Sequence, residues 1–191
     1  MSQTGRRSER VFLTGFMGSG KSTIGPILAN TIGFAFVDTD RAIEEQAGKS
    51  VSRIFLEEGE HRFRTLEHSL VQGLCAQRNI VAALGGGTLL DQENQRALRN
   101  AGITVYLKAT PGELFRRLSS KTDRPMLRGP SGETLSQEQL RERIEQLIAA
   151  REPVYEQADI VVPTDNKRVG VTVDMIVHRL GTLAHHDRRI S

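Results

Sequence analysis

Eight consecutive residues, Gly15-Phe16-Met17-Gly18-Ser19-Gly20-Lys21-Ser22, match G-x-x-x-x-G-K-[ST] in full, and Thr23 follows. This spacing serves to cradle a polyphosphate. Glycines let the backbone curl until successive N–H groups face one anion, and the N-terminus of the following helix adds positive potential. Lys21 supplies a point charge to the β- and γ-phosphates, and the Ser22 hydroxyl suits a Mg²⁺ ion. An apolar run at 11–14 precedes the motif and a helical pattern at 21–31 follows it, which is the strand–loop–helix setting the cradle needs. These residues point to a nucleoside triphosphate and leave open where its phosphate goes.

Three further groups could answer that. Val37-Asp38-Thr39-Asp40 places two carboxylates at the end of a second strand-like run. Residues two apart on a strand share a face, so both could serve one site. One would hold the water shell of a metal while the other takes a proton from an attacking hydroxyl. The alternative is that Asp40 only caps a helix near 41–47. A third run ends in Leu84-Gly85-Gly86-Gly87-Thr88, where successive glycines suggest a backbone so close to a ligand that any Cβ would intrude. No acidic residue of the Walker B kind follows that run, which leaves Asp38 as the better metal candidate. Arg64, Arg124 and Arg151 carry planar guanidinium forks suited to carboxylates or phosphates.

The elements that must position these groups alternate along the chain. Strand-like runs at 11–14, 34–37, 80–83, 103–107 and 160–162 are mostly apolar throughout, as parallel strands covered on both faces are. Helical patterns occupy 21–31, 53–76, 93–100, 137–150 and about 169–183, and Ser136-Gln137-Glu138-Gln139 has the form of a capping box. This alternation predicts an α/β parallel sheet with helices on both faces. Residues 119–133 carry two Pro and two Gly with little periodicity and read as a mobile lid. Residues 1–10 and 184–191 read as polar tails, the second containing His185-His186, so 1–191 forms one domain.

Composition sets limits. A length of 191 residues with 38% apolar and 26% charged side chains suits one globular domain. No run approaches the ~18 apolar residues of a membrane span, and the polar N-terminus lacks a signal-peptide core. Cys75 is the only cysteine, which excludes an internal disulfide and a cysteine-rich metal site and favours the cytoplasm; its place is in the core of the helix after Arg64. A net charge of +3 with nine aromatic residues and no Trp gives no case for nucleic acid.

Taken in order, GFMGSGKST, FVDTD, F-x-x-x-G-E-x-x-F-R at 55–64, the triple glycine, Arg124-Pro125-Met126-Leu127 and Arg151-Glu152-Pro153-Val154-Tyr155 resemble the shikimate kinases over about residues 11–165. Met126 replaces a usual Leu. The resemblance implies a P-loop NTPase fold of the nucleoside-monophosphate-kinase kind, a three-layer α/β/α sandwich on a five-stranded parallel sheet. It implies transfer of phosphate from ATP to the 3-hydroxyl of shikimate, with Mg²⁺ as cofactor. On these residues, Gly18, Ser19, Gly20, Lys21, Ser22 and Thr23 would hold the triphosphate, with Ser22 on the metal and Asp38 on its water shell. Asp40 would bind ring hydroxyls and act as base, Arg64 and Arg151 would grip the carboxylate, and Gly86 would offer its N–H. Lys21 and Arg124 would join Asp40 in catalysis, Arg124 from the lid. Arg117, with Lys167 or Arg168, would meet the adenine. The expected partners are ATP and shikimate alone, with neither nucleic acid nor membrane, and the expected state is a monomer. Another kinase of the same fold, such as one acting on gluconate, and a nucleotide-binding module without catalysis are the rival readings. The first would not need this Asp40, Arg64, Gly86 and Arg151 set, and the second would have lost Lys21, Asp40 or Arg124.

Overall fold

The computed structural model describes residues 9–119, 133 and 135–188, with side chains described as far as Leu183. Its five strands are β1 (Arg10–Thr14), β2 (Ala35–Asp38), β3 (Ile80–Ala83), β4 (Ile103–Lys108) and β5 (Ile160–Pro163). They form one sheet in the order β2-β3-β1-β4-β5, and every pairing is parallel. Eight α-helices occur among the described residues: α1 (Lys21–Ile32), α2 (Thr39–Ala47), α3 (Val51–Glu57), α4 (Gly59–Ala76), α5 (Gln92–Ala101), α6 (Pro111–Leu118), α7 (Gln137–Tyr155) and α8 (Val169–Arg188). None of the described helices is long and apolar enough to cross a membrane.

Alternation along β1 separates the two faces. Phe12 joins Val71, Leu74, Leu98, Leu114, Ile144 and Tyr155 in a core beneath α4–α7. Val11 and Leu13 pack instead with Ile24, Leu28, Val173 and Ile176 of α1 and α8. The sheet is therefore covered on both sides, giving the three layers expected. The central strands β1, β3 and β4 are almost wholly buried. Edge strand β2 is only partly covered.

Register brings the chemistry to one edge. Leu13 of β1 lies beside Ala83 of β3, and Ala83 lies beside Asp38 of β2. The phosphate loop, the acidic pair and the triple glycine thus leave adjacent strands at their carboxyl ends. From the neighbouring strands β1 and β3 the chain departs to opposite faces, into α1 on one and α5 on the other, which opens the crevice where such folds bind ligands.

The sequence reading needs four corrections. The pattern at 53–76 is two helices, α3 and α4, with Phe55 on the first and Arg64 on the second. Gly59 breaks it at φ +83°, a left-handed conformation in which a side chain is strained. Helix α7 continues five residues past 150, through Pro153, and presents Arg151 and Tyr155 from its last turn. Residues 184–188 continue α8 and are not a tail. Helix α6, which the sequence reading left out, starts at Thr110, whose hydroxyl accepts from the Glu113 N–H ahead of Pro111. The capping box at Ser136–Gln139 is present with both of its hydrogen bonds. Residues 120–132, with Arg124 and nearly all of the expected lid, lie outside the described residues.

Candidate active site

The loop after β1 turns on Gly15, Gly18 and Gly20 at φ +134°, +81° and +106°. A Cβ at Gly15 would stand 2.7 Å from the Leu107 carbonyl oxygen, so glycine is needed there for space as well as for conformation. Helix α1 begins directly at Lys21, and its first N–H groups have no intrahelical acceptors. The Lys21 ammonium folds over its own loop, donating to the carbonyls of Gly15 (2.6 Å) and Phe16 (3.1 Å). Ser19 Oγ is buried with no partner among the described residues.

Asp38 has two roles. Its Oδ2 accepts from Ser22 Oγ at 2.7 Å, and its Oδ1 accepts from the N–H groups of Asp40 and Arg41. The helix cap suggested for Asp40 therefore belongs to Asp38. The strand also stops at Asp38, so the shared-face argument for the pair fails, because Asp40 lies in the first turn of α2. Both carboxylates nonetheless line one cavity of about 850 Å³ with Lys21, Ser22, Arg64 and Arg151. Ser22 and Asp38 form a hard oxygen pair beside the phosphate loop, which suits Mg²⁺, an ion that keeps most of its waters and takes one or two protein oxygens.

Across the cavity the triple glycine is held on several sides. Gly85 N–H donates to Thr39 Oγ1 (2.9 Å), and that hydroxyl donates to the Ala83 carbonyl (3.1 Å). A Cβ at Gly85 would lie 2.8 Å from Asp40 Oδ1, and one at Gly87 would lie 3.1 Å from both terminal nitrogens of Arg64. At Gly86 the nearest atom would be Arg151 Nη1 at an ordinary 3.5 Å. At Gly85 and Gly87 the missing Cβ leaves room for the site's own side chains.

Arg64 projects from α4. Its Nη1 donates to Glu67 Oε2 (2.7 Å), and its Nε and Nη2 donate to Glu60 Oε1 (3.2 and 3.0 Å). Burial works to lower its pKa, but the hydrogen bond and charge of Glu67, followed by those of Glu60, leave it raised. The Glu67 side chain is only 2% exposed and also accepts from Thr88 Oγ1 at 2.7 Å. Arg151 is 7% exposed. Its Nη1 lies 3.4 Å from the Gly86 carbonyl, and its guanidinium carbon stands 5.8 Å from the centre of the Phe16 ring in the phosphate loop.

Arg117 lines the same cavity and grips the back of the loop. It donates to the carbonyls of Gly18 (3.1 Å) and Thr164 (3.0 Å), and Glu113 accepts from its Nε at 2.7 Å. Lys167 lines the cavity, whereas Arg168 is not among its lining residues and is exposed. Cys75 is only partly buried on α4, and burial raises its pKa. Glu67, Thr39 and Thr88 escaped the sequence reading. Of these, Glu67 had a signal, its i+3 spacing from Arg64.

The model of the family described as "Shikimate kinase" matches residues 17–181. A shikimate kinase of Chlorobaculum parvum is 48% identical over 180 residues, covering 94% of this chain and 95% of the relative. One from Chlorobium chlorochromatii is 51% identical, covering 89% and 90%. Among solved structures, shikimate kinase from Acinetobacter baumannii in complex with shikimate superposes with a TM-score of 0.82 at 27% identity, covering 95% of this chain and 98% of that one. The phosphate loop, the acidic pair and the guanidinium forks stand in a fold and a sequence of one kind: the chain belongs to the shikimate kinase family.

Proposed function

We propose that the chain transfers the γ-phosphoryl group of ATP to the 3-hydroxyl of shikimate, giving ADP and shikimate 3-phosphate. The observation that carries the proposal is a single cavity lined both by the phosphate loop and by Arg64, Arg151, Gly86 and Asp40. An acceptor bearing a carboxylate and hydroxyls calls for guanidinium forks, a free backbone donor and a carboxylate base. The gluconate-type and non-catalytic alternatives would not require this combination.

The loop N–H groups and Lys21 hold the β- and γ-phosphates, with Lys21 exchanging its contacts with the loop carbonyls for phosphate oxygens. Ser22 holds Mg²⁺, and Asp38 holds its water shell; the ion supplies neutralisation of phosphate charge. Arg64 and Arg151 orient the acceptor by its carboxylate. Asp40 takes the proton of the hydroxyl as its oxygen bonds to phosphorus and the bond to the ADP oxygen breaks. Positioning and charge stabilisation supply most of the acceleration in such transfers. Arg117 and Lys167 remain our candidates for the adenine end. Arg168 is the weaker partner there because it lies off the cavity. We take Arg124 as a further phosphate contact. We read the chain as one domain acting as a monomer in the cytoplasm.

A coupled ADP-release assay with ATP and Mg²⁺ tests this, offering shikimate, gluconate and nucleoside monophosphates in parallel. Turnover with shikimate alone is expected. Turnover with another acceptor would keep the cradle and overturn the acceptor assignments.

A further inference from the structure

The Gly85–Gly87 turn has little of its own to fix its peptide planes, because glycine accepts most backbone conformations. Thr39 ties down the Gly85 N–H, and the Thr88 N–H closes back on the Gly85 carbonyl at 3.2 Å. The Gly86 carbonyl needs a separate anchor. It accepts the Tyr155 hydroxyl, and Arg151 Nη1 lies 3.4 Å away. Arg151 and Tyr155 are four residues apart on the last turn of α7 and so lie on one helix face. Tyr155 is 1% exposed, and its ring packs against Tyr106 with centroids 5.2 Å apart. Burial also raises the Tyr155 pKa, so the phenol stays protonated and remains a donor.

We propose that Tyr155 is a positioning residue for the acceptor: its hydroxyl, with Arg151, clamps the Gly86 carbonyl and thereby sets the direction in which the Gly86–Gly87 peptide presents its N–H. The peptide is planar and trans, so a carbonyl directed at α7 points the N–H of Gly87 away from α7. Neither the Gly86 nor the Gly87 N–H donates to a partner among the described residues, and both glycines line the cavity. The same hydroxyl lies beside the Arg151 guanidinium, so one side chain supports both a backbone donor and a carboxylate fork. This inference rests on the reading that the acceptor binds at this turn and Arg151, and it assigns the oriented donor to the Gly87 N–H, which shares the clamped peptide, rather than to the Gly86 N–H.

The test uses the full-length enzyme with Tyr155→Phe, which keeps the ring on Tyr106 and removes only the hydroxyl. Losing one hydrogen bond of ordinary strength corresponds to about a tenfold rise in the KM for shikimate. The KM for ATP should stay within about twofold, and kcat should fall less than the shikimate KM rises. Tyr106→Phe removes a hydroxyl from the same aromatic pair without touching the turn, and it should leave both KM values near wild type. An unchanged shikimate KM in Tyr155→Phe, or equal rises for both substrates, overturns the proposal. A Tyr155→Phe protein that melts far lower and binds neither substrate makes Tyr155 plain core support, which overturns it too. Arg151→Lys, measured in parallel, separates the two readings. If it leaves the shikimate KM unchanged, the acceptor site itself is misplaced. If it raises that KM while Tyr155→Phe does not, only the role of Tyr155 falls.

Discussion

An alanine scan of the triple glycine should have different consequences at each of its three positions. None of these glycines adopts positive φ, so alanine meets no conformational penalty and only the space around Cβ matters. At Gly85 the new carbon would stand 2.8 Å from Asp40 Oδ1, about 0.6 Å inside ordinary contact. The closest obstructing atom is the end of a side chain, so the carboxylate moves; Thr88 Oγ1 at 3.2 Å and Glu67 Oε1 at 3.3 Å, a buried hydrogen-bonded pair, must shift by a few tenths of an ångström as well. If a 1 Å misplacement of a reacting group costs about 10²-fold, this displacement should lower kcat by about ten- to thirtyfold. At Gly87 the 3.1 Å approach to both Arg64 terminal nitrogens displaces the carboxylate fork instead, raising the shikimate KM by about two- to fivefold with less change in kcat. Gly86→Ala makes only ordinary contacts and should have the smallest effect of the three. Steady-state kinetics with each substrate varied, together with unfolding curves, reads all of this. Stability should change by no more than about 1 kcal/mol in Gly86→Ala and Gly87→Ala, and by more in Gly85→Ala, where the buried Thr88–Glu67 pair is crowded too. A Gly85→Ala enzyme with kcat within twofold of wild type would refute the reasoning, as would Gly86→Ala proving the most damaging.

Other perturbations address the same site. Asp40→Asn should lower kcat by about 10²–10⁴ if Asp40 is the base, whereas a change confined to KM would make it a binding residue. Glu60→Gln should lower the shikimate KM by up to about fivefold, because an exposed ion pair of at most about 1 kcal/mol no longer competes for Arg64; a raised KM would contradict this. Hydrogen bonds from Arg116, then Arg117, together with the charges of both, hold the Glu113 carboxyl at about 2, below its ordinary 4.5. A depressed carboxyl stabilises the fold fully above the unfolded value and loses that contribution as pH falls through the folded one. Unfolding midpoints of wild type and Glu113→Gln should therefore differ at pH 7 and converge as pH falls from about 4.5 to 2, and a gap that persists at the acid end would remove the ion pairs as its cause.

The parts of this protein that could be read from its sequence are those set by local chemistry. The glycines, Lys21 and Ser22 of the phosphate loop lie within eight contiguous residues, and Gly18, Gly20, Lys21 and Ser22 line one cavity. Apolar runs located all five strands, because central strands of a parallel sheet must be apolar on both faces. The break at Gly59 was hidden because one glycine within an otherwise helical pattern is compatible with either continuation or a stop. Asp38 and Asp40 line one cavity without the strand periodicity that would put them on one face, because a helix begins between them and turns Asp40 into that cavity. Glu67 stands three residues after Arg64, but that spacing is common on exposed helix faces and does not report that the carboxylate is buried. Tyr155 stood in a recognised motif, yet its contact with Gly86 spans 69 residues, and nothing local reports that distance.

Several of the charged and hydroxyl groups assigned to a ligand are held by the protein itself. Lys21 rests on loop carbonyls, Ser22 on Asp38, Arg117 on the carbonyls of Gly18 and Thr164, and Arg64 on two glutamates. Such contacts keep cationic groups ordered in the cavity, but a ligand must displace some of them, so the affinity it shows is a difference between two sets of interactions. Which contacts yield follows from burial. Glu67, with its side chain 2% exposed and a second hydrogen bond from Thr88, cannot leave Arg64 without stranding a charge in the interior. Glu60, with its side chain 64% exposed, can turn into water at little cost. If Arg64 takes the acceptor carboxylate as proposed, that carboxylate would replace Glu60, while Glu67 would stay as the fixed support that aims the fork. The same logic separates Asp38 from Asp40. Asp38 spends one oxygen on the α2 cap and the other on Ser22, which ties it to the phosphate end of the cavity. Asp40 faces the glycine turn across space that only the absence of a Cβ at Gly85 leaves open. On the proposed roles, two carboxylates two residues apart would serve the metal and the acceptor separately, because a helix and not a strand follows Asp38.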